Sequence, residues 1–244
     1  MVEHRRSALR TAAVWSALQA VLQQAQPAQG GPRRVVDLGG GTGGFAVRLA
    51  GQGHQVTVVD PSPDALAALG RRAAEADVAD LVHGVQGDAT DLHGLVGESA
   101  VDLVLCHGVL EVVDDPAETL TASVAVLVPG GTLSLLVANR PAAVLARVLA
   151  GRLDEALELL RGGSTAAVPR RFTEAEVLEL LAGLGVEDPP YLHGARVFTD
   201  LVPGAVVDAE PGAAELLLDL ELLAADRPEL RTMASQLHVL ARRR

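Results

Sequence analysis

The chain contains no lysine and no isoleucine, and only one asparagine (Asn139) and one cysteine (Cys106) in 244 residues. Without lysine it cannot form a Schiff base, anchor pyridoxal phosphate or build a Walker-type phosphate loop. A single cysteine excludes an intrachain disulfide and a cysteine-built metal cluster, so no metal is expected and a cytoplasmic protein is the simple inference. Lysine, isoleucine and asparagine all have A/T-rich codons, and their scarcity points to a G+C-rich, bacterial genome. No apolar run reaches the roughly 20 residues that span a bilayer. Met1 to Gln26 has Gln19, Gln23 and Gln24 inside its apolar part, which suits an amphipathic helix rather than a cleaved signal. Membrane association is therefore not expected. Net charge is −11, whereas a broad nucleic-acid footprint is normally basic because phosphate contacts supply its affinity. Only a local arginine patch remains open to that use.

What the chain does have is apolar residues, 49% of the total, enough for a large core in one α/β domain. After an amphipathic helix over about Ser7 to Gln24 and a linker at Pro27 to Pro32, strand and helix patterns alternate. Strands are predicted at Arg34 to Leu38, Val56 to Val59, Leu81 to Gln86, Val101 to Leu105 and Thr132 to Val137. Helices are predicted at Gly44 to Ala50, Pro63 to Ala74 (Ser62 as N-cap) and Pro116 to Leu127, with a turn at Pro129-Gly130-Gly131. This rhythm implies parallel strands with helices on both faces. Beyond Asn139 it changes to a helix over Pro141 to Leu160 broken near Gly151, a loop at Gly162 to Pro169, and a helix from Thr173 to about Leu184. A strand at Tyr191 to Phe198, a helix at Ala213 to Ala225 and a strand at Gln236 to Ala241 close the sheet edge, with Arg242 to Arg244 as a solvated tail. The expected organisation is a single domain over 1–244, with a helix and linker at 1–30, a cofactor-binding core at 31–138, a helical lid at 139–172 and the rest of the sheet at 173–244.

The chemistry is concentrated in Val35-Val36-Asp37-Leu38-Gly39-Gly40-Gly41-Thr42-Gly43-Gly44, a strand, an acid and a glycine run in front of a helix. Glycines allow a tight turn and let a ligand approach the backbone. Gly39, Gly41 and Gly44 also satisfy the spacing of a dinucleotide fingerprint, so the run alone does not choose its cofactor. The acids do. Asp37 beside a pyrophosphate would be repulsive, whereas S-adenosylmethionine (SAM) carries an ammonium and a sulfonium. Asp60, followed by Pro61, ends the second strand, where it can accept from ribose hydroxyls. Asp88, between Gly87 and Ala89, follows the third strand, where an adenine amino group can reach it. Asp114 and Asp115 before Pro116 read as turn formers, and Cys106 as a small apolar core residue. His107 follows Cys106 at the end of strand four, the end that faces a bound cofactor.

Segments outside the glycine turn carry a closer resemblance. Leu9-Arg10-Thr11-Ala12-Ala13-Val14-Trp15 and His107-Gly108-Val109-Leu110-Glu111-Val112-Val113-Asp114-Asp115-Pro116 resemble signatures of the bacterial tRNA carboxymethoxyuridine carboxyl methyltransferases. Pro129-Gly130-Gly131, Asn139, Ala195-Arg196-Val197-Phe198 and Leu220-Glu221 have counterparts there in the same order. The resemblance implies a Rossmann-like class I fold: seven strands, mostly parallel, one antiparallel, with helices on both faces. It implies that Arg10 reaches the cofactor's carboxylate, that Gly39 and Gly40 line its methionine part, and that Asp60 meets its ribose and Asp88 its adenine region, with Gly41, Pro61 and Ala89 as further cofactor-binding candidates beside them. His107 would stand at the edge of the site, and Asn139 and Arg196 on the substrate side. One departure is plain. Where that family is strongly basic before its late helix, this chain has Gly162-Gly163-Ser164-Thr165-Ala166-Ala167 and then only Arg170 and Arg171.

The expectation is a SAM-dependent methyltransferase, releasing S-adenosylhomocysteine, whose acceptor is either the carboxyl group of a modified tRNA wobble uridine or a small molecule. A small-molecule carboxyl or hydroxyl methyltransferase, a non-catalytic SAM-binding regulator and an NAD-dependent oxidoreductase stand beside it. A carboxylate acceptor is ionised at neutral pH and needs no base, so no general base is assigned. For a hydroxyl or amine acceptor His107 is the first candidate.

Overall fold

The computed structural model describes residues 2–24, 31–164, 169–187 and 190–244; most of the linker expected at Pro27 to Pro32 and part of the loop at Gly162 to Pro169 lie outside them. In chain order the elements are α1 (Val2–Gln24), β1 (Arg34–Leu38), α2 (Ala46–Ala50), β2 (Gln55–Asp60), α3 (Pro63–Glu75), β3 (Val82–Gln86), α4 (Leu92–Val96) and β4 (Val101–His107). They continue with α5 (Pro116–Ala125), β5 (Leu127–Ala138), α6 (Arg140–Leu149), α7 (Leu153–Leu160), α8 (Glu174–Leu181) and β6 (Tyr191–Ala195). The chain closes with α9 (Gly204–Ala209), α10 (Ala213–Ala225), α11 (Pro228–Arg231) and β7 (Gln236–Arg242). The seven strands run β3-β2-β1-β4-β5-β7-β6, the antiparallel part lying at β5-β7-β6.

The chain divides into two compact units. The first contains 26–135, 177–190 and 240–244. Its strands β1, β2 and β4 are Val- and Leu-rich and buried along nearly their whole length, as parallel strands covered on both faces must be. β1 lies parallel between β2 and β4, with Val36 opposite Thr57 and Asp37 opposite Leu105. Local chemistry sets the helix starts. The Ser62 hydroxyl accepts the Ala65 N–H with Pro63 at the first helical position, and Asp115 accepts the Ala117 and Glu118 N–H groups ahead of Pro116.

Two expectations in this unit are corrected. Pro129-Gly130-Gly131 does not end a helix–strand connection as a free turn: β5 runs through it. Gly130 takes φ +78, its N–H donates to the Arg243 carbonyl at 2.9 Å, and the Arg243 N–H donates to the Gly131 carbonyl at 2.8 Å. A ladder partner from the chain's far end thus turns the glycines into a kink within a strand. The same contacts mean that Arg242 to Arg244 is no solvated tail, since Arg243 also donates to the Ala125 carbonyl and the Arg244 N–H to the Gly185 carbonyl.

The second unit contains 1–25, 136–176 and 191–239. Leu9 of α1 packs with Val207, Ala214 and Leu217, and Val197 packs with Ala224 and Ala234. α6 and α7 form a hairpin turned by Gly151 at φ +72. Thr173 and Glu176 form a reciprocal capping box at the start of α8: the Thr173 N–H donates to Glu176 Oε2 at 2.7 Å, and the Glu176 N–H to Thr173 Oγ1 at 3.3 Å. The strand expected to reach Phe198 stops at Ala195, because Arg196 adopts the left-handed φ of +59 and turns the chain.

Candidate active site

At the carboxyl end of β1 the chain must turn at once into the segment before α2, and glycine makes that possible. Gly39 and Gly41 take φ +66 and +54, and the Gly39 N–H donates to the Val59 carbonyl at 2.8 Å. At Gly40 the constraint is space rather than torsion. A Cβ there would stand 2.5 Å from the Asp37 carboxyl carbon. The bare backbone of Gly40 therefore sits directly against the Asp37 carboxyl group, which is only 3% exposed.

Asp37 is consequently an acid in an unfavourable place. Burial first, and the neighbouring Asp60 second, push its pKa up to about 7. Asp60, 8% exposed at the end of β2, accepts the Gly41 N–H on one oxygen and the Ser62 N–H on the other, both at 2.9 Å. These bonds tie the glycine turn to the end of the second strand. Pro61, next along, is exposed. Asp88 follows β3 and is exposed; its carboxylate accepts the Thr90 N–H at 3.2 Å, capping the short 3-10 turn Ala89–Asp91 in which Ala89 is buried.

His107, the last residue of β4, is positioned by two contacts. Its Nε2 lies 2.8 Å from the Ser134 hydroxyl on β5, and its ring meets Phe45 edge-on at 4.9 Å between centroids. Burial pushes its pKa down to about 3, so the imidazole is neutral at pH 7. Beside it, burial pushes the Cys106 thiol well above its usual range, as fits a buried core thiol. Asp115, read from the sequence as a turn former, is the N-cap of α5.

The remaining candidates belong to the other unit. Asn139 is 2% exposed, and its Nδ2 donates to the carbonyls of Arg231 (3.2 Å), Thr232 (3.2 Å) and Ala234 (2.8 Å). An amide committed to three carbonyls braces the 231–234 turn, which by itself accounts for an asparagine at this position. Arg10, 57% exposed, has Nε 3.5 Å from Asp200, and Arg196 binds the other Asp200 oxygen at 2.6 Å. The Arg196 turn is locked from behind by Glu221. That side chain is 1% exposed and accepts the N–H groups of Val197, Phe198 and Thr199 at 3.0, 2.7 and 2.5 Å, with the Thr199 hydroxyl at 2.6 Å. A left-handed non-glycine residue costs on the order of 1–3 kcal/mol, and such strain persists only where the surroundings over-determine it. Glu221 supplies that determination.

Sequence reasoning missed Ser134, Asp200 and Glu221 as participants. Only Glu221 carried a signal, through its place in a segment with family counterparts. Ser134 and Asp200 gain their roles from contacts that no local pattern announces.

Known proteins fit this arrangement. A family model described as "Methyltransferase domain" matches residues 36–135, the span from β1 to β5 that holds the glycine turn, Asp60, Asp88 and His107. A tRNA 5-carboxymethoxyuridine methyltransferase of Escherichia coli is 30% identical over 239 residues, covering 96% of this chain and 88% of its own length. The crystal structure of an S-adenosylmethionine dependent methyltransferase from Mesorhizobium loti superposes with a TM-score of 0.59 at 25% identity, covering 96% of this chain and all of that one. A geranyl diphosphate C-methyltransferase of Streptomyces coelicolor, crystallised with S-adenosyl-L-homocysteine, shares the fold at TM-score 0.60 and 16% identity, covering 94% and 79% of the two chains. The chain is a SAM-dependent methyltransferase and belongs to the family of the tRNA 5-carboxymethoxyuridine methyltransferases.

Proposed function

We propose that the enzyme methylates a carboxylate, and that this carboxylate is the one on a modified wobble uridine of tRNA. The observation that carries the reading is the state of His107. An imidazole whose pKa is pushed to about 3 is a poor proton acceptor at neutral pH, so the site favours an acceptor that is already ionised. The relative from Escherichia coli, matched along nearly the whole chain, supports the wobble uridine as the source of that carboxylate.

SAM fits the residues at the turn. Gly40 offers backbone where any Cβ would strike Asp37, and Asp37 and Asp60 offer carboxylates to a ligand with an ammonium, a sulfonium and a ribose. In this reading Asp37, Gly39, Gly40 and Gly41 hold the methionine part, Asp60 and Pro61 the ribose, Asp88 and Ala89 the adenine, with His107 at the edge and Arg10 at the cofactor carboxylate. SAM supplies an electrophilic methyl on sulfur. The protein's own work is to hold the acceptor oxygen in line with that methyl and to exclude water. Arg196 is assigned to the acceptor side, since a guanidinium fork suits a carboxylate. Asn139 supports that side from behind through the turn it braces. We read the chain as one methyltransferase domain with its cofactor core at 31–138 and a helical lid at 139–172, working in the bacterial cytoplasm. No helix among the described residues is long and apolar enough to cross a membrane.

Mass spectrometry of tRNA nucleosides from a deletion strain tests the acceptor: the methyl ester of the carboxymethoxyuridine disappears. If it persists, the tRNA reading fails. A small carboxylic acid as acceptor is the second reading, favoured by the net charge of −11 and by Gly162 to Ala167 standing where the family is basic.

A further inference from the structure

Helices α7 and α10 each carry apolar residues on two faces, and the fold uses one of them. On α7 the inner face is Ala156 and Leu159, both buried; on α10 it is Leu217 and Ala224, likewise buried. Leu153, Leu157 and Leu160 remain on the outside of α7, and Leu216, Leu220 and Leu223 on the outside of α10. All six are between 46% and 70% exposed. Both sets follow the same spacing, a leucine followed by others four and seven positions on, which places each set in one straight stripe. α6, packed along α7, leaves Leu145, Val148 and Leu149 exposed as well. A single exposed leucine is ordinary, but a contiguous apolar stripe on a helix marks a surface that something covers. This spacing is that of a helix–helix seam, in which side chains of one helix enter the gaps of another.

Charge decides what covers each stripe. The α6–α7 hairpin, over residues 140–161, has four arginines against three acids, a net charge of +1. Over residues 213–226, α10 and its cap have four acids and no base, a net charge of −4, and three of the acids, Glu215, Asp219 and Asp226, are exposed. Two α10 stripes laid together would set acid against acid, whereas α10 against the hairpin is attractive. A membrane surface would cover leucines too, but its anionic lipids would repel the acids beside the α10 stripe. We infer that the two stripes are a self-association surface, on which α10 of one copy of the chain lies along the α6–α7 hairpin of a second copy. Each chain carries both halves of the contact, so one pair can make it twice, across a twofold axis, and close as a dimer. The inference does not depend on the acceptor proposed above.

Sedimentation velocity of the full chain over a concentration series tests this. The wild type is expected to pass from one copy to two below about 100 µM. Leu157 and Leu220 are the middle residues of their stripes and therefore meet whichever way the two helices run. Leu157→Arg alone and Leu220→Asp alone should each raise the dimer dissociation constant about tenfold or more. Combined in one chain they set a cation against an anion across the contact, and the double variant should associate more tightly than either single one. Both leucines are exposed, so calorimetric melting should stay level with the wild type. Should a leucine variant melt early, Asp219→Arg reads the same contact from an exposed polar position. A cation there faces the positive hairpin and weakens the dimer, whereas pairing of α10 with α10 would be strengthened by it. A wild type that stays single up to that concentration overturns the inference, and its sedimentation with phosphatidylcholine vesicles would then assign the stripes to a lipid surface. A double variant no tighter than the weaker single one, or a tighter dimer of Asp219→Arg, overturns the pairing of α10 with the hairpin.

Discussion

A carboxylic acid packed beneath a glycine backbone resists ionisation until a cation arrives, and Asp37 is in that position. Folded, it titrates near 7; unfolded, near 3.8. Between those values the folded state holds a proton that the unfolded state has lost, so Asp37 makes stability fall as pH rises through the window, by on the order of 4 kcal/mol in full. Asp37→Asn removes the effect. The ligand-free variant is expected to melt above the wild type at about pH 8 and level with it near pH 4, read by calorimetric scans. Binding of a cationic ligand works in the opposite direction, expelling the proton. SAM affinity of the wild type should therefore rise with pH up to about 7 and then level, while Asp37→Asn binds weakly with no such slope. Asp60→Ala should weaken SAM binding by roughly 1.5–3 kcal/mol, the value of hydrogen bonds to a charged group. Unchanged affinity on titration would remove Asp60 from the site. These acids were legible in the sequence because their meaning lies in their identity and their place after a strand. Asp200 was not, since an aspartate in a loop says nothing of the arginines it meets until the chain is folded.

Elements whose ends are set by neighbours in sequence were readable, and those set by distant partners were not. Ser62-Pro63, Asp115-Pro116 and the Thr173–Glu176 pair each start a helix where the sequence places it. Pro129-Gly130-Gly131 looked like a turn because its strand partner, around Arg243, lies far along the chain. Likewise the strand from Tyr191 ends early because Glu221, on α10, gathers the N–H groups of residues 197 to 199. Glu221→Ala would leave one buried and two half-buried donors without their acceptor and is predicted to cost about 3–5 kcal/mol in urea unfolding. Glu221→Gln, which keeps one oxygen, should cost less. Asn139→Ala strands the carbonyls of the 231–234 turn and should cost about 1–3 kcal/mol by the same measurement. A loss below about 0.5 kcal/mol, the usual effect of a surface change, would contradict the bracing role.

At the scale of the whole molecule, the alternation of strands and helices gave the parallel sheet and its binding end. The fold itself does not select an acceptor. The acceptor reading rests on a weakly basic histidine and on a relative matched along nearly the whole chain, against a net charge of −11. The most direct test gives the purified enzyme isotopically methyl-labelled SAM and tRNA bearing carboxymethoxyuridine, and follows the label through mild alkali. Transfer to a carboxylate makes an ester, so the label should enter the tRNA and leave it again as methanol on alkaline treatment. Label that never enters the tRNA, or that survives the alkali, would contradict the account.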